Sequence, residues 1–102
     1  MTVDDGEATI KRIDRSDNTI EIELTNNFPV RIVQFIIKGI EVAEVRSTIR
    51  TEKFYVKHNK EDDKFSILSF SDEVIAPGTG SIAEIVCDKK SSASLSGINI
   101  FK

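Results

Sequence analysis

The stretch TIEIELT (residues 19–25) decides the fold, because its side chains alternate strictly between polar and apolar. Its isoleucines and its leucine occupy every second position, and its glutamates and threonines occupy the others. Successive side chains of a β-strand point to opposite faces, so a period of two predicts a half-buried strand. One face of this strand is expected to lie on a core and the other in solvent.

The whole chain favours strands over helices. Its 102 residues include 15 Ile and 8 Val but only 3 Leu and 5 Ala. Branching at Cβ restricts χ1, which suits a pleated sheet better than a helix. An apolar content of 39% with a net charge of -3 indicates a folded chain rather than a disordered one. The length fits one domain over residues 1–102, with a core that needs no cross-links.

Further apolar stretches, separated by turn residues, predict the other strands at residues 9–14, 30–38, 53–58, 65–71, 81–88 and 98–101. Residues 40–50 are rich in β-branched side chains, so we favour strand and loop there over a helix. We expect residues 1–7 to form a flexible arm and the Ser-rich residues 89–97 to form a loop. About eight short strands at this spacing predict an all-β fold, an antiparallel β-sandwich of the jelly-roll or immunoglobulin-like type.

The alternation also predicts which side chains fill the core. The expected core residues are Ile20, Ile22, Leu24, Val33, Phe35, Ile37, Val56, Leu68, Phe70, Ile85, Ile98 and Ile100. A second apolar set is expected on the face away from the core, and it consists of Ile32, Ile36, Phe65, Ile67, Ile82 and Val86. A monomer seldom shows a large contiguous apolar patch. The second set therefore either packs beneath loops or marks a protein–protein interface.

Four short motifs follow one another along the chain. They are Leu24-Thr25-Asn26, Val33-Gln34-Phe35, Leu68-Ser69-Phe70-Ser71 and Gly78-Thr79-Gly80-Ser81-Ile82. In this order, over about residues 19–88, the chain resembles cohesin-like β-sandwich domains, which are jelly-roll relatives of carbohydrate-binding modules. Ile32 stands where those domains commonly have a glycine. The resemblance implies a binding or assembly module rather than an enzyme, of the kind found in bacterial surface proteins and phage structural proteins.

Residues that could carry enzyme chemistry are scarce. The chain has one cysteine, Cys87, and one histidine, His58, and no flanking sequence supports them as a nucleophile and its base. Glu21 and Glu23 share a strand face, which a solvated sheet explains better than a glycosidase pair. We therefore expect no catalytic residue and no cofactor.

Metal binding is not expected either. Residues 14–18 begin like a calcium loop, but Thr19 and Thr25 stand where such a loop needs glycine and glutamate. The acidic residues 61–63 lie between two lysines, as in the tip of a hairpin. One histidine and one cysteine do not supply the four ligands of a zinc site.

Charge and hydropathy limit the partners. The longest basic runs are the pairs Lys11-Arg12 and Lys89-Lys90, which is too little for a nucleic-acid interface. No apolar run approaches a membrane span, and the acidic start lacks the features of a signal peptide. With no Trp and a single tyrosine, a glycan contact would fall on Tyr55.

The sequence therefore predicts a non-catalytic module that acts through a protein partner or through self-assembly. A virion or an extracellular surface is the favoured setting, for example as a capsid decoration protein. The alternative is a cohesin-like or carbohydrate-binding module that recognises a dockerin or a glycan.

Overall fold

The computed structural model describes residues 8–16, 18–69 and 72–101, with only the backbone described at residues 89–92. Its strands are β1 (Ala8–Ser16), β2 (Thr19–Asn26), β3 (Ile32–Ser47), β4 (Tyr55–Asn59), β5 (Lys64–Leu68) and β6 (Gly78–Phe101). They form one antiparallel sheet in the order β1-β2-β6-β3-β5-β4. The all-β prediction is confirmed. Within these segments, no helix could cross a membrane.

Two long strands, β3 and β6, run through both halves of the molecule. One half contains β1 and β2, and the other contains β4 and β5. The first part of β6 pairs with β2, and its last part pairs with the beginning of β3, beyond which β5 and β4 extend the sheet. The β3–β6 pairing is interrupted by register shifts between Gln34 and Glu44. Such bulges bend a strand and increase its twist. The sheet consequently folds over itself, and residues from both halves form one core cluster.

The core follows the alternation of β2 and β3 directly. The fully buried residues include Ile20, Ile22, Leu24, Val33, Phe35, Ile37 and Ile85, as predicted. Val56 and Ile100 are partly buried and pack against this core. Phe70, also expected in the core, lies outside the described residues.

The prediction for β5 was wrong in its choice of face. Phe65 and Ile67 are fully buried, whereas Leu68 is half-buried on the opposite side. Both faces of this strand carry apolar side chains, so periodicity alone could not select the inner one. The pairing with β3 determines the inner face of β5. Phe65 stands opposite Phe35 and Ile67 stands opposite Val33, and directly opposed residues point to the same face. The two phenylalanine rings stack with centroids 5.2 Å apart.

Two expectations for β6 also need correction. Ile82 lies in the core together with its neighbour Ala83, because a register shift against β2 makes Ile82 an extra residue in the pairing. Ile98 is not in the core but 43% exposed. Residues 89–97 are not a loop: they continue β6 and pair with β3, where Ser94 stands opposite Lys38. Hydrogen bonds to β3 thus keep this segment in a strand despite its low apolar content.

The strands are fewer and longer than the predicted eight. The described residues form six, because residues 40–47 extend β3 and because 81–88 and 98–101 belong to one strand. The expectation of strand and loop over residues 40–50 is confirmed, since β3 ends at Ser47 and a turn follows. The expected arm at residues 1–7 lies outside the described residues.

A buried amide closes the end of the fold where β2 stops. Asn26 is only 4% exposed, and its Nδ2 donates hydrogen bonds to the carbonyl oxygens of Phe28, Ile75 and Ala76. These bonds tie the end of β2 to the loop that follows it and to residues 75–76. The asparagine that ends the Leu-Thr-Asn motif therefore has a structural role.

The turn after β3 is fastened to the same place by Arg50. Its Nη1 donates to the carbonyl oxygens of Leu24 and Gly80 at 2.7 and 3.1 Å. Its Nη2 donates to Asn26 Oδ1 and to the carbonyl oxygen of Ala76, both at 2.8 Å. Partial burial lowers the pKa of the Arg50 guanidinium below its ordinary value. The side chain thus joins three segments through neutral acceptors.

Candidate interaction surface

An apolar row crosses the outer face of the sheet formed by the last part of β6, the first part of β3, β5 and β4. Phe101 stands opposite Ile32, Ile32 opposite Leu68, and Leu68 opposite Tyr55. These four side chains point to one face because each pair is directly opposed. Neighbouring strands lie about 4.8 Å apart, so the row is roughly 15 Å long. We call this side of the sheet the binding face.

The ends of the apolar row are aromatic and accessible. Phe101 is 48% exposed and Tyr55 is 46% exposed, while Ile32 and Leu68 are half-buried between them. Aromatic rings offer large contact areas, and they have few rotatable bonds to immobilise on binding. They are enriched among the residues that dominate binding energy in interfaces. The row is therefore suited to hold apolar side chains of a partner.

Apart from Ile36, the next two rows of the binding face are polar and cationic. The two rows next to the apolar row contain Asn99, Gln34, Ser66, Lys57, Ser96, Ile36, Lys64 and Asn59. No carboxylate is among them, although the whole chain carries a net charge of -3. In the described part of the chain, neither Lys57 nor Lys64 forms an ion pair. Positive charge is thus concentrated beside the apolar row.

Gly97 allows Ile36 to lie close to β6. A Cβ atom at Gly97 would stand 2.8 Å from Cδ1 of Ile36, closer than two carbon atoms approach without displacement. The backbone of Gly97 also has φ +59, a conformation that glycine adopts without a steric penalty. Ile36 is half-buried on the binding face in consequence.

The structure separates the six residues of the second apolar set, which were expected either to pack beneath loops or to mark an interface. Ile32 and Ile36 lie on the binding face, and Val86 lies on the outer face of the other half, opposite Thr19 and Glu44. The remaining three, Phe65, Ile67 and Ile82, are fully buried and cannot contact a partner. Tyr55, the expected glycan contact, is at one end of the apolar row. No sequence pattern marks Leu68 and Phe101 as its companions, because their proximity arises from pairing register.

The outer face of the other half differs in charge. It carries four glutamates that form ion pairs: Arg15–Glu21 at 2.8 Å, Lys11–Glu23 at 3.8 Å, Arg46–Glu44 at 2.9 Å and Arg46–Glu84 at 3.2 Å. Hydrogen bonds from Arg46 lower the pKa of the Glu44 carboxyl below its ordinary value, and they raise the pKa of Arg46. These carboxylates are largely neutralised within the domain. Glu21 and Glu23 are thus surface ion-pair partners of Arg15 and Lys11.

Two open clefts flank the sheet. One, of about 270 Å³, lies between residues 49–54 and 73–76. The other, of about 290 Å³, is lined by Ile40, Glu41, Val42, His58, Lys60, Asp63 and Asp88. Cys87 is buried at 2% exposure, and His58 stacks on Phe65. Among the described residues, no cluster of three or more His, Cys, Asp or Glu side chains is placed to hold a metal ion.

Comparison with known proteins agrees with this architecture. No protein-family model and no curated protein matches the chain. Among solved structures, a non-cellulosomal cohesin from the hyperthermophilic archaeon Archaeoglobus fulgidus superposes with a TM-score of 0.69. The match covers 94% of this chain and 78% of that chain at 19% sequence identity, so the likeness concerns the fold alone. It confirms the resemblance that the sequence motifs indicated: the chain has a cohesin-like β-sandwich fold.

Proposed function

We propose that this domain is a non-catalytic binding module that docks a protein partner on its binding face. The observation that carries the proposal is the apolar row, with accessible rings of Phe101 and Tyr55 at its ends. Scattered single apolar residues are common on protein surfaces, whereas contiguous apolar patches mark interaction sites. Burying this row against a partner supplies the favourable free energy of binding.

The charges beside the row define the chemistry of the partner. Lys57 and Lys64 attract carboxylates, and no acidic side chain in the neighbouring rows of the binding face competes for them. A matching partner has apolar side chains for the row and acidic residues on the side facing β4 and β5. Complementary charges of this kind raise the association rate and fix the orientation more than they raise affinity.

We further propose that the setting is the surface of a virion or a cell, where the domain acts as a decoration or scaffold component. The cohesin-like fold supports this setting, because the sequence motifs resemble domains of bacterial surface proteins and phage structural proteins. Self-association through the binding face is the variant of this function in which the partner is a second copy.

Site-specific photo-crosslinking tests the proposal in the cells or particles that contain the protein. A benzophenone amino acid replaces Tyr55 in one variant and Thr79, on the outer face of the other half, in a matched control. We expect Tyr55 to give a discrete protein adduct and Thr79 to give none. Light scattering on the purified protein shows whether the partner is a second copy.

The identified partner is then titrated with purified variants. We expect Leu68→Asp to weaken binding at least tenfold, because it places a charge in the middle of the apolar row. Thr79→Asp, the matched control, should leave affinity unchanged. Adducts from Thr79 alone, or equal affinities of the two aspartate variants, would refute docking on the binding face.

A glycan or a dockerin is the second candidate ligand, and the accessible ring of Tyr55 favours it. Sugars stack on exposed aromatic faces, although one tyrosine offers little area for this. A glycan array and titration with a dockerin test this candidate directly. Glycan binding that is lost in Tyr55→Ala, in the absence of any protein adduct, would replace the protein partner with a sugar.

A further inference from the structure

We propose that this domain pairs with a second copy of itself through the cleft between residues 49–54 and 73–76, with Ile49 of each copy seated in the cleft of the other. Ile49 is 85% exposed, more than any other large apolar side chain in the described part of the chain. Val74, on the opposite wall of the cleft, is 39% exposed. No described residue that lines this cleft belongs to the rows of the binding face. The contact is therefore distinct from the one proposed for the protein partner, and neither depends on the other.

The cleft can receive the side chain that protrudes beside it. Phe54, Val74 and Ala76 line it together with Ile49 itself, and Phe54 also packs against the core. Its volume is about 270 Å³. Since a cavity of about 150 Å³ already accommodates benzene, there is room for the side chain of an isoleucine. One surface thus carries both an apolar projection and an apolar recess, and a two-fold axis converts such a surface into a contact with itself.

Both walls of the cleft are fastened to the fold. The hydroxyl of Thr51, which is fully buried, donates to the carbonyl oxygen of Ile82 at 2.8 Å, and Arg50 bonds the same turn to β2 and β6. On the other wall, Ile75 and Val30 exchange two backbone hydrogen bonds of 2.8 and 3.1 Å. A surface that is already rigid loses little conformational entropy on docking. Ile49 is thus exposed on a firmly held turn rather than on a loose end.

The charges of the two walls have opposite signs. The charged residues of the turn are Arg50, Glu52 and Lys53, and those of the segment 72–76 are Asp72 and Glu73. The turn therefore has a net positive charge and the opposite wall a negative one. Lys53 and Glu73 both line the cleft, yet in the described part of the chain neither forms an ion pair. Both remain available to a second copy.

Apolar and charged contacts agree in one arrangement of the two copies. Ile49 and Lys53 belong to the turn, whereas Glu73 and Val74 are neighbours on the opposite wall. When the turn of one copy enters the cleft of the other, Ile49 meets Val74 and Lys53 meets Glu73. The two-fold axis repeats both contacts with the copies exchanged. Complementary charges of this kind fix the orientation of the pair.

Sedimentation velocity measures this self-association on the purified full chain, at concentrations from about 10 µM to 1 mM. We expect a reversible equilibrium between monomer and dimer in this range, because the cleft is small beside the roughly 800 Å² per partner of a standard interface. Ile49→Asp should weaken the dimer by roughly a hundredfold or more, since a symmetric contact loses the apolar side chain twice. Its Tm at low concentration should equal that of the wild type, because Ile49 is exposed. Leu68→Asp, on the binding face, should dimerise like the wild type.

An exchange of charges tests which residues face each other. Lys53→Glu places two carboxylates at each of the two contacts, and Glu73→Lys places two ammonium groups there. Each variant alone should dimerise roughly tenfold more weakly than the wild type. An equimolar mixture of the two variants should recover the wild-type affinity, because opposite charges then meet at both contacts of the mixed dimer.

The outcomes separate this dimer from the proposed function. A wild type that stays monomeric up to about 1 mM would overturn the dimer. Self-association that survives Ile49→Asp but is lost in Leu68→Asp would assign it to the binding face instead. A mixture that associates no better than its components would overturn the contact between Lys53 and Glu73. Crosslinking from Tyr55 tests the protein partner in every one of these cases.

Discussion

Arg50 is predicted to stabilise the domain more than Arg46, although Arg46 forms ion pairs and Arg50 forms none with the described residues. The Arg50 guanidinium donates four hydrogen bonds of 2.7–3.1 Å, three of them to backbone carbonyls, and these join the turn after β3 to the ends of β2 and β6. The Arg46 guanidinium bonds Glu44 and Glu84 on an exposed sheet face. The perturbation is Arg50→Met, which keeps an unbranched stem and removes every donor.

The expected loss of unfolding free energy in Arg50→Met follows from the four hydrogen bonds. A buried hydrogen bond from a charged donor contributes about 1.5–3 kcal/mol. Arg50 is only partly buried and water can reach its acceptors, so we assign about 0.5–1 kcal/mol to each bond, which gives roughly 2–4 kcal/mol. Partial burial lowers the pKa of Arg50 because it disfavours the charged guanidinium. A neutral methionine does not carry this cost, so the substitution offsets part of the lost stability. We expect a net loss of about 2–3 kcal/mol from a total of roughly 5–15 kcal/mol for a domain of this kind.

Urea unfolding followed by far-UV circular dichroism measures the effect. Arg50→Met should lower the midpoint with an unchanged slope, and Arg50→Lys should lose about half as much, because lysine cannot reach four acceptors in a fixed plane. Arg46→Met is the matched control, and its midpoint should stay close to that of the wild type, since exposed ion pairs contribute little. Equal midpoints for Arg50→Met and Arg46→Met would refute the reasoning.

Three further predictions concern the core, the buried amide at the end of β2 and the surface charges. Phe65→Ala should destabilise by about 4 kcal/mol and Leu68→Ala by about 1 kcal/mol or less, measured by urea unfolding; similar losses would mean that the inner face of β5 is wrongly identified. Asn26→Ala should cost about 2 kcal/mol, because it removes the hydrogen bonds of a buried amide and the acceptor of one Arg50 bond, and a neutral result would show that water replaces the amide. Glu44 has a lowered pKa, so its interaction is present above its ordinary value of 4.5 and is lost as the pH falls through the lower folded value. An NMR titration should show the pKa of this carboxyl rising in Arg46→Met, and an unchanged titration would contradict the assignment to Arg46.

Alternation of polar and apolar residues was sufficient to predict which side chains are buried wherever only one face of a strand is apolar. In β2 the buried apolar side chains are Ile20, Ile22 and Leu24, and no other choice was consistent with the glutamates between them. In β5 both faces carry apolar side chains, so the alternation did not show whether Phe65 or Leu68 points into the core. The Ser-rich residues 89–97 lacked the apolar signal altogether, yet they pair with β3. Hydrogen bonds to a partner strand hold such a segment extended, whatever its side chains.

The amino-acid sequence by itself determined the class of fold, the inner face of β2 and β3, and the scarcity of catalytic groups, because these depend on residue type and on spacing within one segment. Tertiary structure alone decided the binding face and the role of Arg50, because both depend on contacts between segments that are distant in sequence. The binding face arises from the register between its strands. A shift of one residue in that register would turn every side chain of a strand to the opposite face, and local spacing does not encode it.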